Sequence, residues 1–164
     1  MFENLKEVEI PEVKIIGEDV FYGCRQLERI NMLKVNGIGK RAFFGCRSLK
    51  KLDMPNLKSA GEDTFRDCKQ LEKVNVLKIE EIGERTFFNC KGLEKLNMPN
   101  LKSTGEDAFR NCKQLKEINM PKLEKIGKIT FFDCENLEEA HIPEETYNKY
   151  REEFEGTKVT GASR

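Results

Sequence analysis

The chain has 164 residues, with 29 Lys or Arg and 29 Asp or Glu, so its formal net charge is zero. This balance gives no general attraction towards nucleic acid or an anionic membrane. No apolar run is long enough for a membrane-spanning helix, and the length suffices for one ordinary domain.

The N-terminal stretch MFENLKEVEI lacks the basic and apolar regions of a signal peptide. Phe2 stands where later units carry a cysteine, so the chain starts inside a repeat without a capping segment. We therefore expect either a cytosolic protein or a piece of a longer or engineered chain. An alternative is that this uncapped edge pairs with another chain, giving a homo-oligomer.

Four residue columns recur every 22 residues, which indicates a solenoid of the leucine-rich type. The columns are Gly17, Gly39, Gly61, Gly83, Gly105 and Gly127; Phe21, Phe43, Phe65, Phe87, Phe109 and Phe131; Cys24, Cys46, Cys68, Cys90, Cys112 and Cys134; and Leu27, Leu49, Leu71, Leu93, Leu115 and Leu137. A 44-residue double unit is also visible, because GED recurs at 17–19, 61–63 and 105–107.

Each unit is predicted to hold one short strand and one tight turn. In residues 93–98, Leu96 and Met98 alternate with polar residues as in a half-buried strand, and Pro99 ends the pairing. Gly105 is expected to bend the chain with a positive φ. The segment 106–112 is predicted to form one short helical turn that buries its apolar side chains.

The C-terminal residues predict a different structure, a capping helix. Pro143 and two glutamates suit a helix start, and Tyr147, Tyr150 and Phe154 share one helical face. Gly156 can end the helix. We expect a solenoid over residues 1–142, a cap over 143–159 and a disordered tail over 160–164.

The unit pattern resembles the BspA-type leucine-rich repeat, also called the Treponema pallidum type. The segment IGKRAFFGCRSLKKLDMP, residues 38–55, is close to that family's consensus, and the resemblance covers about residues 2–143. It implies a right-handed, mostly β solenoid with short helical turns and a parallel sheet on its concave face. It also implies a non-enzymatic, adhesin-like surface protein that binds host or extracellular-matrix proteins.

The cysteines are expected to be small buried apolar residues stacked in one ladder. Parallel Cβ vectors about 4.8 Å apart suit a disulfide poorly. Metal binding by the ladder and redox sensing remain alternatives, although the sequence has no C-x-x-C pair. Six reduced thiols favour a reducing compartment, whereas the family favours the cell surface, so localisation stays open.

The outward columns of the predicted sheet are the best candidate binding surface, although they hold no aromatic anchor. Its residues are Arg29, Asn31, Lys51, Asp53, Lys73, Asn75, Lys95, Asn97 and Asn119. The basic stripe turns acidic at Glu117 and Glu139, and His141 ends the asparagine column. A solvated sheet face with stacked asparagines is the alternative.

A second candidate surface is a column in which aromatic and arginine side chains alternate, predicted on the convex side. It consists of Tyr22, Phe44, Arg66, Phe88, Arg110 and Phe132. We expect guanidinium groups to stack between rings, either as a surface ladder or as a partner-binding stripe.

The sequence predicts no enzyme, cofactor or metal site, since His141, the single histidine, has no nucleophile partner at a recognisable spacing. The predicted function is therefore a non-catalytic protein-binding module. The alternative is a structural or engineered scaffold without a specific ligand, with self-association through the N-terminal edge.

Overall fold

A computed structural model describes residue 2 and residues 4–163 of the chain. Short parallel strands alternate along it: β1 Glu7–Glu9, β2 Ile15–Ile16, β3 Arg29–Asn31, β4 Gly37–Ile38, β5 Lys51–Asp53, β6 Ser59–Ala60, β7 Lys73–Asn75, β8 Glu81–Ile82, β9 Lys95–Asn97, β10 Ser103–Thr104, β11 Glu117–Asn119 and β12 Glu139–His141. A helix, α1 Glu144–Lys149, and a 3₁₀ turn, Arg151–Phe154, follow.

Each 22-residue unit makes one coil of a solenoid and contributes to two parallel sheets. The three-residue strands β1, β3, β5, β7, β9, β11 and β12 stack on one side, here called the main sheet. The two-residue strands β2, β4, β6, β8 and β10 form a continuous second sheet. Residues one 22-residue repeat apart lie opposite each other in paired strands, as Lys51 lies opposite Lys73. The predicted leucine-rich repeat solenoid is confirmed.

The core is a set of identical side chains stacked along the solenoid. The column from Phe21 to Phe131 is buried, and successive rings lie 5.1–5.7 Å apart between centroids. A coil alone could not bury these rings, because each ring is covered by the coils above and below it. Phe154 continues the column, 5.0 Å from Phe131, so the C-terminal segment caps the core as predicted.

The glycine column has a different role from the one expected. The prediction of a positive φ at Gly105 is wrong, since the positive-φ glycines in the described part of the chain are Gly23, Gly45 and Gly156. A Cβ on Gly105 would instead lie 2.4 Å from the backbone nitrogen of Glu84 in the preceding coil. Glycine is required here because adjacent coils touch through their backbones.

The segment 106–112, predicted as a short helical turn, forms two successive hydrogen-bonded turns. The N–H of Arg110 donates to the carbonyl of Asp107 at 3.2 Å, and that of Cys112 donates to Phe109 at 3.2 Å. Asp107 and Asn111 have φ values of 55° and 61°, which a helix does not tolerate. Short polar side chains suit such left-handed positions.

The main sheet is divided into three hydrogen-bonded groups of strands. These are β1–β3, β5–β7 and β9–β11–β12, whereas the second sheet is continuous from β2 to β10. Both interruptions follow a coil that carries leucine where others carry proline: Leu33 follows β3 and Leu77 follows β7. Asn56 and Asn100 bridge the interruptions by donating side-chain hydrogen bonds of 2.8 Å to the carbonyls of these leucines.

The C-terminal tail runs back along the last coil. The N–H of Ser163 donates to the carbonyl of Ala140 at 2.8 Å, and Ala162 packs partly against the core. The predicted disorder of residues 160–164, like the domain boundaries at 142 and 159, stays a prediction.

Candidate interaction surface

The predicted binding residues lie on one exposed side of the main sheet, here called the strand face. In most of the three-residue strands the middle residue is buried, while the first and third face outwards. The alternation follows from the two-residue side-chain period of a strand. The structure thus brings the whole predicted set, Arg29 to Asn119, into two parallel columns.

Most basic residues on the strand face are paired within the molecule. Arg29 contacts Glu7 at 3.2 Å, Lys51 contacts Asp53 at 3.1 Å, and Lys95 contacts Glu117 at 2.6 Å. Lys73 makes no ion pair within the described residues. The predicted basic stripe is therefore largely neutralised, and its free positive charge is concentrated at β7.

The asparagine column forms side-chain hydrogen bonds between coils, as the alternative interpretation expected. Asn75 donates to Asp53 and Asn119 donates to Asn97, both at 2.8 Å. Asn31 donates a longer bond to Glu9, while its Oδ1 is buried without a partner within the described residues. This amide therefore retains an unused acceptor.

Two hollows of the strand face coincide with the interruptions of the main sheet. One, of about 420 Å³, includes Arg29, Asn31, Leu33 and Lys51 in its lining. The other, of about 490 Å³, lies between β7 and β9 and includes Lys73 and Val74. Val74 is half-buried, unlike the equivalent residues of neighbouring strands, and so offers apolar surface beside a free ammonium group.

A third group of side chains lies at the last two strands. His141 Nε2 is 3.3 Å from an oxygen of Glu139 and 3.8 Å from an oxygen of Glu117. The hydrogen bond from Lys95 lowers the pKa of Glu117, and the positive charge of Lys95 acts in the same direction. Sequence reasoning noted all three residues but did not group them, although the 22-residue spacing of Glu117 and Glu139 and the two-residue spacing of Glu139 and His141 were the available signal.

The six cysteines are buried and free. The thiol of Cys90 donates to the carbonyl of Phe65 at 3.2 Å, and four other cysteines make the same contact. Burial raises the pKa of Cys46 to about 12 and raises those of Cys68, Cys90 and Cys112 well above the usual range. These thiols lack the exposed, thiolate-stabilising setting of reactive cysteines.

The alternating aromatic–arginine column forms as predicted. The guanidinium carbon of Arg66 lies 5.5 Å from the ring centre of Phe44 and 4.7 Å from that of Phe88. Arg110 lies in the same way between Phe88 and Phe132. Most of these groups are half-buried by one another, which matches the surface-ladder interpretation.

An adjacent charged column was not predicted from the sequence. It alternates Asp and Arg at Asp19, Arg41, Asp63 and Arg85, with φ near 55° throughout. Arg41 donates two hydrogen bonds to Asp19, at 2.8 Å and 2.7 Å, and Arg85 pairs with Asp63 in the same manner. The 44-residue period was the available signal, since opposite charges one coil apart must lie side by side.

Residues 1–112 and 77–162 match the BspA type leucine rich repeat region, in six copies. The chain belongs to this family. No curated protein matches it in sequence. Within the described residues, no helix is long and apolar enough to cross a membrane.

Three solved structures show the same fold. A leucine rich cell surface protein from Faecalibacterium prausnitzii is 22% identical with a TM-score of 0.67, over 85% of this chain and 48% of that protein. A leucine-rich repeat protein from Bacteroides ovatus is 25% identical with a TM-score of 0.61, over 95% of this chain and 54% of that one. The chain thus spans about half the length of both.

The third is the T. pallidum leucine rich repeat protein, which is 22% identical with a TM-score of 0.65. There the match covers 96% of this chain and 86% of that one.

Proposed function

We propose that the chain is a non-catalytic protein-binding module, adhesin-like in its mode of action, that contacts its partner through the strand face. The observation that carries the proposal is the hollow between β7 and β9, where Lys73 and the half-buried Val74 lie together. Family membership supports a repeat module that binds proteins, and one solved neighbour is itself described as a cell surface protein. A host or extracellular-matrix protein is the partner class that the family resemblance favours.

The chemistry of the hollow defines what a partner must offer. A partner carboxylate would complete the ion pair that Lys73 lacks within the described residues, and an apolar side chain would cover Val74. Glu72 and Glu94 also line the hollow, so the partner carboxylate must approach Lys73 away from these two side chains. Contacts to Lys73 and Val74 that exclude water at the centre of an interface contribute more affinity than charge pairs at its exposed rim.

A displayed library of random peptides, selected on the immobilised chain, tests this proposal and requires no identified partner. We expect enriched peptides to combine acidic and apolar residues and to lose binding to Lys73→Glu and to the triple reversal of Lys51, Lys73 and Lys95. Lys69→Glu is the matched control, because Lys69 is also exposed and also makes no ion pair within the described residues. Peptides that bind Lys73→Glu as well as wild type would refute the proposal.

A scaffold without a specific ligand is the second candidate. It is favoured by the internal pairing of Arg29, Lys51 and Lys95, which satisfies most charges of the strand face without a partner. This function predicts that no peptide is enriched, and that adding or deleting 44 residues leaves folding intact. Light scattering would separately test association through the N-terminal edge.

A further inference from the structure

The group at the last two strands has the composition of a metal site. One imidazole nitrogen and one oxygen from each of Glu117 and Glu139 lie within 4.8 Å of one another. Mixed nitrogen and carboxylate ligands suit zinc and related divalent transition ions, whereas calcium and magnesium prefer oxygen ligands alone.

The spacing also suits such an ion. Ligand atoms about 2.1 Å from a tetrahedral zinc ion lie about 3.4 Å from one another. The Nε2 of His141 is 3.3 Å from the nearer oxygen of Glu139 and 3.8 Å from that of Glu117. The three ligand atoms lie within 4.8 Å of one another, so the widest pair must approach by at most about 1.4 Å to reach the tetrahedral separation, which rotation of half-exposed side chains allows.

The register of the sheet explains why this group occurs at one place. Pairing of β11 with β12 puts Glu117 beside Glu139, and His141 follows two residues later on the same face. The strands β3, β5, β7 and β9 carry Arg or Lys at the first position and Asn or Asp at the third. The basic side chain repels a cation, and none of these strands offers an imidazole nitrogen. Among the described residues this is the one cluster with metal-binding composition.

The surroundings leave room for further ligands and hold Glu117 in place. A hollow of about 510 Å³ lies over the group and is also lined by Asn119 and Ser163. Lys95 donates to Oε2 of Glu117 at 2.6 Å, whereas Oε1 faces His141. Lys95 thus orients the carboxylate, but its charge also competes with a cation.

We propose that Glu117, Glu139 and His141 bind a divalent transition ion of the zinc class at the C-terminal end of the strand face. The ion would join β11 to β12 and keep at least one open position for water or for a donor group of another molecule. This proposal does not depend on the identity of any protein partner.

The test uses zinc ions and the reduced full chain. His141 is the single histidine, so its two ring proton signals in NMR report directly on the site. We expect these signals to shift on addition of Zn²⁺ but not of equal Ca²⁺ or Mg²⁺, with binding also measured by calorimetry. The absorption spectrum of added Co²⁺ should be typical of an ion bound by nitrogen and oxygen ligands and not of one bound by thiolates. Unmoved ring signals would overturn the proposal.

Two matched variants separate this site from adventitious binding. His141→Asn restores the residue that the column carries at 75, 97 and 119, so it should fold normally and lose Zn²⁺ binding. Binding retained in that variant would assign the ion elsewhere, to the thiols for example, and would refute the site. Glu117→Gln removes one carboxylate ligand and should weaken Zn²⁺ binding at least several-fold; unchanged binding would exclude Glu117 as a ligand.

Discussion

The carboxylate of Asp63 accepts two hydrogen bonds from the guanidinium of Arg85, one coil further along, at 2.9 Å and 3.1 Å. Arg66 donates a third at 3.2 Å. Burial by itself would raise the pKa of Asp63, but the hydrogen bonds and charges of Arg85 and Arg66 outweigh it and lower that pKa below its ordinary value. One carboxylate therefore links the charged column to the aromatic–arginine column.

Asp63→Asn should lower the free energy of unfolding at neutral pH by about 1–3 kcal/mol, since it removes charge-assisted hydrogen bonds at a buried position. Asparagine tolerates the φ of 55°, so backbone strain does not contribute. Asp19→Asn is the matched control, because Asp19 pairs with Arg41 in the same way but its side chain is 43% exposed. Urea denaturation should show the smaller loss for Asp19→Asn; an equal loss would contradict the importance of burial.

The contribution of Asp63 should also depend on pH. Because folding lowers its pKa, the stabilisation is complete above the ordinary value of 3.8 and is lost as pH falls through the lower folded value. The difference in unfolding free energy between wild type and Asp63→Asn should therefore shrink in acid. If this difference stayed constant as the pH fell below the folded pKa of Asp63, the carboxylate charge would not contribute to stability.

Two adjacent phenylalanines should respond differently to truncation. Phe87 is fully buried in the stacked core, so Phe87→Ala should cost about 3–5 kcal/mol by opening a cavity. Phe88 lies half-exposed between Arg66 and Arg110, and Phe88→Ala should cost much less, about 1–2 kcal/mol. Chemical denaturation measures both, and a loss below about 1 kcal/mol for Phe87→Ala would contradict the coil assignment.

Glycine-to-alanine changes at two positions should show whether a glycine is needed because the backbones of adjacent coils touch there. Gly105→Ala would place a Cβ 2.4 Å from backbone atoms that cannot move independently, so it should destabilise by about 1–3 kcal/mol. Gly37→Ala meets no heavy atom within 4 Å and should be neutral or stabilising by up to about 1 kcal/mol. Thermal unfolding of the two variants measures the difference, and similar unfolding temperatures would disprove close contact between the backbones at Gly105.

Cysteine reactivity offers a check on the thiol ladder. The buried thiols with raised pKa values should react with a thiol reagent only as fast as the protein opens. Complete labelling should follow addition of denaturant. Rapid labelling of Cys90 in the native protein would revive the redox interpretation of the ladder.

The strict 22-residue period determined the coil, the stacked core and the outward columns, because identical units can bury their apolar faces only against copies of themselves. It did not reveal why Gly105 is glycine, since contact between backbones leaves no periodic signature distinct from a turn. The pairing of Asp63 with Arg85 was readable in principle from alternating charge at the 44-residue period.

Tertiary structure alone decided the rest. Whether Lys51 and Lys95 present free charge depends on carboxylates two residues or one coil away. Among the described residues, their ion pairs leave Lys73 as the unpaired cation of the strand face. The meeting of His141 with Glu117 and Glu139 likewise depends on strand register and side-chain rotamers. A repeating sequence determines which columns form, but distances between side chains across coils exist only once the chain is stacked.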